Sequence, residues 1–529
     1  MTVENRGEGR NHSSSHGEYV ENDARRSSRV ENELVRSASK VSIAESFSIG
    51  HEIIFVSLIC MAQFTTQAAL GNCLNIIHAI GDTFDIVNTG ELAWLIAGYS
   101  LTVGTFILIF GRFGDVFGYK RMLIIGYSWF SIWTMVAGVA SYSNKVLFIF
   151  ARVFQGIGPA ILLPNALAIL GATYAPGRRK AMVFSLFGAC APSGATVGAL
   201  FAGLFVYGDP NWWSWTFYSF AIALACMAVL TVFVVPELHS GTPVAGMTLK
   251  QIISELDPLG GLTGVLSLVL INFAWNQASV VGWNVPYVYV LLIIGLAVAP
   301  VFFYIELKVS SRPLIPFHAL SVDVLFVLGC ITCGWSCFGI WIFYIWQFFQ
   351  QLRGSSPLLT AAWISPCAVS GALASLTTGW ILHRVGAGLV MVLALSCFTA
   401  GTALIMTAPV GQIYWLQSFF CVVIIPWGMD MSFPAATLIL SNATSRKEQG
   451  ISASLVTTVV NYSISLGLGF AGTVEAYINP GGTSPAALLK GFRSAWYMGI
   501  GLSGLGIAIS MAFLARDLTR KRPTRKIDG

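Results

Sequence analysis

The chain is 529 residues long and carries a net charge of +6; 55% of its residues are hydrophobic and only 10% are charged. A soluble domain carries about 25% charged residues, and disordered, collagenous and coiled-coil chains have compositions of other kinds. The composition is that of an all-α polytopic membrane protein. It does not suggest a nucleic-acid binder, because most Lys and Arg sit in short segments between apolar runs.

Residues 1–46 are Ser-rich, mixed in charge and without apolar periodicity, and lack the apolar core of a signal peptide. They read as a disordered cytosolic tail. Arg25, Arg26, Ser27 and Ser28 are either plain solvated tail or a site for a basophilic kinase. Apolar runs of spanning length follow at 51–79, 89–110, 121–141, 145–173, 181–206, 212–235, 258–279, 286–305, 322–349, 357–380, 386–408, 411–440, 449–475 and 494–515. Runs 7 and 8 are either two spans or one re-entrant unit.

With the N-terminus inside, 25 of the 30 basic residues fall on the cytosolic side. Only Lys145, Arg353, Lys490 and Arg493 fall opposite, and Arg152 lies within a span. Omitting one span would invert every later loop and spoil this bias, so fourteen spans with both termini cytosolic is the expectation. The same topology leaves the sequons at Asn11, Asn442 and Asn461 unglycosylated.

Among the cysteines, Cys330, Cys333 and Cys337 share one helical face. With no second ligand pair, they read as helix packing rather than a metal or redox site. No metal or other cofactor is expected. Trp212 and Trp213, near a span end, read as interface anchors.

The loop after span 2 runs from Gly111 through Asp115 and Gly118 to Lys120 and Arg121. The loop after span 10 runs from Gly379 through His383 and Arg384 to Gly386. Both fit G-x-x-x-[D/H]-x-x-G, 268 residues apart. This implies two related six-helix halves, spans 1–6 and 9–14, with spans 7 and 8 inserted between them. The expected organisation is a six-helix bundle over 47–235, a linker over 236–257, two inserted helices over 258–305 and a linker over 306–321. A second bundle over 322–515 and a basic tail over 516–529 complete it. The glycines permit tight turns. Asp115 reads as a gating latch, whereas Lys120 and Arg121 have topology alone as an alternative reading. His383 stands where the second copy would carry an acid.

The 111–121 loop resembles the signature loop of the major facilitator superfamily. Arg152-Val-Phe-Gln155-Gly156 is similar to that family's R-x-x-Q-G element. Gly188, Pro192, Gly194 and Gly198 resemble, incompletely, the antiporter element of its drug exporters. The span count resembles the fourteen-helix drug:proton antiporter branch. The stretches 152–180 and 428–437 look like fungal members grouped around aminotriazole resistance, boron export and low-affinity ammonium transport. The resemblance implies two bundles rocking about a central site, with a part in proton coupling for Arg152.

By this span map, Arg152 and Asp430 are the only Asp, Glu, Lys or Arg residues deep in the membrane, where a charge costs ~2.5–3.5 kcal/mol and normally has a task. Arg cannot itself carry the proton. Asp430 is the candidate proton site, with substrate contact or a structural acid as alternatives. Gln63, Gln67, Asn72, Asn165, Trp341, Tyr344, Gln347 and Asn461 outline a candidate substrate cavity, interhelical hydrogen bonding being the other reading.

Gly499, Gly501 and Gly504 match a dinucleotide fingerprint only formally, since they lie inside a span. There is no phosphate-binding loop and no catalytic cluster, so neither an ATP-driven pump nor an enzyme is expected. The expected function is proton-coupled export of a drug, toxin or metabolite, at the plasma membrane or the vacuolar membrane. The partners are a small-molecule substrate, protons and the bilayer, with no obligatory protein partner. The alternatives are a facilitator or importer of a small solute such as ammonium, and a transporter-like nutrient sensor.

Overall fold

The computed structural model describes residues 45, 47–175, 177–237, 247–315, 321–443 and 449–521. Among these, fourteen helices are long and apolar enough to cross a membrane: α1 Ile49–Asn75, α2 Thr89–Phe117, α3 Tyr119–Tyr142, α4 Lys145–Thr173, α5 Arg178–Gly208, α6 Pro210–Val234 and α7 Lys250–Val281, then α8 Pro286–Val309, α9 Val322–Leu352, α10 Pro357–Leu382, α11 Ala387–Thr407, α12 Gln417–Leu440, α13 Ser454–Ile478 and α14 Pro485–Arg516. No strand occurs among the described residues. The tail expected over residues 1–46 lies outside them apart from Glu45, as do Arg25, Arg26, Ser27, Ser28, Arg446 and Lys447.

The helices start where side chains satisfy the first free amides. Ser48, Asn88, Asn144, Ser321 and Ser356 each accept from a backbone N–H in the first turn that follows. Pro286 and Pro357 occupy first-turn positions, where no N–H is needed. In hydrocarbon an unsatisfied backbone group costs several kcal/mol, so a chain this apolar has helices as its natural solution.

Runs 7 and 8 form two separate helices of crossing length, the first of the two readings, and not a re-entrant unit. Three boundaries differ from expectation. The expected linkers are partly helical: Leu249–Leu256 is closed by a capping box between Thr248 and Gln251, and Ile305–Val309 prolongs α8 as a π-turn. The last helix continues to Lys521, into the expected tail.

The packing repeats. Helix α1 lies on α5 as α9 lies on α13, and α3 lies on α6 as α11 lies on α14. Likewise α3 and α2 both pack on α4, as α11 and α10 both pack on α12. Two seams join the sets, α2 against α13 and α5 against α10, and the repeat exchanges one seam for the other. Each seam has a glycine where backbones meet. A β-carbon at Gly104 would lie 2.7 Å from Tyr462 N, and one at Gly203 would lie 3.1 Å from Leu358 Cα. Helix α7 rests on both α2 and α13, whereas the Pro286–Tyr304 part of α8 buries only Val288 and Gly295 fully and presents much of its apolar length outward. Trp213 is not an interface anchor: it is 1% exposed, donates to Thr83 Oγ1 at 2.8 Å and packs against Phe84, Phe148 and Phe217. Trp212 is exposed, as an anchor should be.

Candidate functional site

A narrow cavity lies where α1, α5, α9, α10 and α12 meet, so both six-helix sets line it. Its wall is apolar and aromatic, with Phe338, Ile342, Trp346 and Met429, and Gln67 contributes an amide. Pro192 of the antiporter-like element also lines it. Gly194 and Gly198 of that element serve packing instead: a β-carbon on either would collide with the backbone of Phe64 or Ala68 on α1. Gly188 meets nothing within 4 Å.

Asp430 stands beside this cavity, next to the lining residue Cys367. Ser375 Oγ donates to its Oδ1 at 3.1 Å. Its Oδ2 is closed off from solvent, has no hydrogen-bond partner and faces Gly371 of α10. No ion pair to Asp430 occurs among the described residues.

Arg152 is placed elsewhere. It is fully buried in α4, donates from Nε to Leu95 O at 3.0 Å and from Nη2 to Ala69 O at 3.2 Å, and also donates to Gln155 Oε1. Its guanidinium stacks 4.7 Å from the Tyr99 ring centre. Gln155 in turn donates to Thr134 Oγ1 at 2.6 Å. The side chain therefore ties α4 to α1, α2 and α3. Asp430 is not among its partners.

The other expected cavity residues divide. Trp341 donates to Cys421 Sγ at 3.0 Å, pinning α9 to α12. Asn165 donates to Phe110 O and Ile161 O, and its side chain occupies the space a β-carbon at Gly114 would take, so it clamps α4 to α2. Asn461 is half-buried and donates to Thr457 O within its own helix. Gln63 is half-buried on α1. Asn72 and Gln347 are buried; Asn72 Oδ1 and both polar atoms of the Gln347 amide have no protein partner. The three clustered cysteines pack against neighbouring helices: Cys330 and Cys333 meet Gly506, and Cys337 lies 3.3 Å from Thr402 Oγ1.

Tyr344 leads to an acid the span map missed. Its hydroxyl donates to Glu475 Oε2 at 2.8 Å, both side chains are buried, and Thr89 of α2 also bonds the carboxyl. Glu306 and Asp257 are buried as well. The expectation that Arg152 and Asp430 are the only deep ionisable residues is therefore corrected. The apolar runs 8 and 13 end at 305 and 475, whereas the helices reach Val309 and Ile478. An acid at the edge of an apolar run has the signature of an interfacial residue, but Glu306 and Glu475 are buried by the chain packed around them.

The two loops with the repeated glycine pattern turn alike. Gly118 and Gly386, again 268 residues apart, have φ of +97° and +82°, a region that favours glycine. Asp115 Oδ1 accepts from Tyr119 OH at 2.8 Å, a phenol on the first residue of α3. Gly111 packs near Pro164 and Ser454. Lys120 Nζ lies 3.8 Å from Glu237 Oε1, Arg121 is exposed, and Arg384 stacks 3.9 Å from the Trp380 ring centre. The His383 side chain lies outside the described residues.

At the opposite end the two six-helix sets are joined by side chains. Gln350 Nε2 donates to Asn75 O at 2.7 Å and to its Oδ1 at 3.1 Å, and Gln351 Nε2 lies 3.2 Å from His78 Nδ1. Burial pushes the His78 imidazole down to about 4.

A multi-pass helical protein with two repeated bundles around a shared internal cavity has the architecture of a membrane transporter. The family model described as Major Facilitator Superfamily matches residues 53–468, and the chain belongs to that superfamily. It is 52% identical to the low affinity ammonium transporter of Saccharomyces cerevisiae, over 87% of this chain and 88% of the relative. It is 44% identical to the efflux pump terJ of Aspergillus terreus, over 96% of this chain and 95% of the relative. With the aminotriazole resistance protein of Saccharomyces cerevisiae it shares 36% identity, over 94% of this chain and 90% of the relative. Among solved structures, the nucleoside transporter NupG superposes with a TM-score of 0.57 at 12% identity, covering 87% of this chain and 99% of that one. That likeness concerns the fold alone. The relatives are transporters, and the chain is a transporter rather than an enzyme.

Proposed function

We propose that this transporter is a proton-coupled exporter of amphipathic organic solutes, working by alternating access. The observation that carries this reading is the lining of the central cavity, apolar and aromatic with one amide, beside an acid that has no cationic partner. Such a wall suits molecules with both apolar and polar parts. An acid with one hydrogen bond and one unpartnered oxygen has room for a proton. A gradient of one pH unit supplies about 1.4 kcal/mol per proton, so one or two protons drive substantial accumulation. Glu475, at the meeting of α2, α9 and α13, is a second acid suited to such a cycle. Arg152 supports coupling indirectly, by bracing α1, which lines the cavity, against α2 and α4. Loops 111–121 and 379–386 serve as the gate at one end, and the Gln350–Asn75 contact serves as the gate at the other. The basic-residue bias supports placing both termini and the 111–121 loop in the cytosol.

The second reading, a facilitator of ammonium, rests on the yeast relative of that name. A small cation needs a cage of acceptors, and the cavity wall supplies few, which favours the organic solute.

The test uses purified protein in liposomes that enclose a pH-sensitive dye. Aminotriazole, lipophilic cations and ammonium are added in turn under an imposed pH gradient. Export coupled to protons requires a solute-triggered proton flux that Asp430→Asn abolishes while solute exchange survives. Solute movement with no proton flux turns the reading to a facilitator, and undiminished uphill transport by Asp430→Asn removes the proton role of that residue.

A further inference from the structure

We propose that Asp257 and Glu306 form a proton-sharing carboxyl pair that fastens the α7–α8 hairpin to the 111–121 loop, so that loss of one proton loosens that end of the transporter. The proposal needs neither Asp430 nor a particular substrate.

Asp257 is 7% exposed and Glu306 is 2% exposed. Asp257 sits at the bend before Pro258 with φ +44°, and its Oδ1 accepts from Gly260 N at 3.1 Å. Glu306 lies in the final π-turn of α8. Its Oε2 accepts from Ile315 N at 3.4 Å, and the Leu314 amide bonds the same carboxyl. The remaining oxygens, Asp257 Oδ2 and Glu306 Oε1, are closed to solvent and have no donor. A β-carbon on Gly260 would strike both Asp257 Oδ2 and Glu306 Oε1, so the two unpartnered oxygens face each other across that glycine. Two carboxylates so placed cannot both be charged, and one proton between them converts repulsion into a hydrogen bond.

The charged groups around the pair have partners of their own or face solvent, except that Arg112 Nε is buried without a partner. Arg312 of the following turn pairs with Glu255 of the preceding helix at 2.9 Å. Arg112 of α2 donates to Pro313 O at 2.5 Å, and Asp115 is bonded to Tyr119. Lys308, on the same π-turn as Glu306, points to solvent. Among the described residues no cation is paired with either acid, so a proton between them takes that part.

The pair matters because of what it anchors. The turn held by Glu306 offers Pro313 O to Arg112, and its Leu314 lines a small pocket with Asp115, Tyr119 and Ser454. The turn therefore sits between the 111–121 loop and α13, on the seam between the two six-helix sets. The docked turn holds one proton more than a turn released to water, where both acids ionise at neutral pH. Docking is consequently strongest at low pH and weakens as pH rises, by up to about tenfold per pH unit.

Hydrogen–deuterium exchange of the full chain in lipid nanodiscs tests this, read at residues 311–315 between about pH 5 and about pH 8 and corrected for intrinsic exchange. Protection is expected to fall with rising pH in the native protein. It is expected to be pH-independent in Glu306→Gln, whose amide donates to Asp257 and still accepts from Ile315, and in Asp257→Asn. Infrared spectra of the same samples should show a protonated carboxyl stretch that both variants lack. Native protection that does not vary with pH overturns the proposal, and so does a Glu306→Gln profile equal to the native one. Should Glu306→Gln fail to fold, the native profile and Asp257→Asn decide. Transport need not be measured, so failure here is separable from failure of the export reading.

Discussion

Pro192 and Asp430 meet at one glycine. A β-carbon placed on Gly371 would lie 2.8 Å from Pro192 Cγ and 2.8 Å from Asp430 Oδ2. Pro192 belongs to α5 and Asp430 to α12, so the seam between α5 and α10 runs directly beside the acid. Any motion that parts α5 from α10 uncovers Asp430, which links its access to the rocking of the two bundles.

Gly371→Ala follows from this contact. The added methyl cannot fit without moving Pro192 or the carboxylate, and overpacking of this kind costs about 1–3 kcal/mol. The cost falls on the state in which α5 and α10 are closed together. The variant is expected to fold, to favour the parted state and to transport more slowly, with accessibility labelling beside Asp430 increased. Unchanged labelling and rate would refute the contact.

Arg152→Lys is expected to behave as a structural lesion. Lysine has no planar fork to reach Leu95 O, Ala69 O and Gln155 together, and hydrogen bonds from charged groups are worth about 1.5–3 kcal/mol each. Thermal melts should drop clearly, and rates per folded molecule should fall less than the yield of folded protein. A full melt with lost coupling would instead give Arg152 a direct part in proton transfer.

Tyr344→Phe removes the 2.8 Å donor to Glu475 and leaves that oxygen buried without it, at a cost of about 1–3 kcal/mol. Replacing both groups, Tyr344→Phe with Glu475→Leu, should cost less in stability than the sum of the single changes. The interaction energy from a double-mutant cycle checks this, and strict additivity would show that the bond contributes nothing.

Much of the architecture is legible in the chain. Run length and charge placement give the fourteen helices, and the glycine pattern at Gly118 and Gly386 marks two turns of the same hand because that conformation favours glycine. Asp430 stands out as an acid inside an apolar run. What hydropathy does not carry is which face a polar residue presents. Trp341 and Asn165 have the same signature whether they line a cavity or pin helices, and only the neighbouring Cys421 and Phe110 decide it. Glu475 and Glu306 sit near helix ends, where an acid is ordinarily cheap; their burial comes from helices distant in sequence. Gly371 resembles any membrane glycine until Pro192 and Asp430 are seen against it.

Gln350→Ala tests the gate at the far end. It deletes two hydrogen bonds to Asn75, together worth about 1–3 kcal/mol. The closed population at that end should fall, by about tenfold for each 1.4 kcal/mol removed. Spin-label distances between the end of α1 and the end of α9 are expected to lengthen. Distances identical to the native protein would show that packing alone closes this end.

His78 gives the same end a pH response of opposite sign to that of the Asp257–Glu306 pair. Burial pushes its imidazole down to about 4 in the closed seam, against an ordinary value of about 6.5 when solvated. Between those values the opened seam binds the extra proton and the closed one does not. Closure is therefore unaffected by pH above about 6.5, weakens as pH falls toward about 4, and changes no further below. The same spin-label pair, titrated downward, should show a growing open population in the native protein and a flat response in His78→Asn. An open population that is constant across the window would mean that His78 stays solvated in the membrane-embedded protein and takes no part in holding the seam.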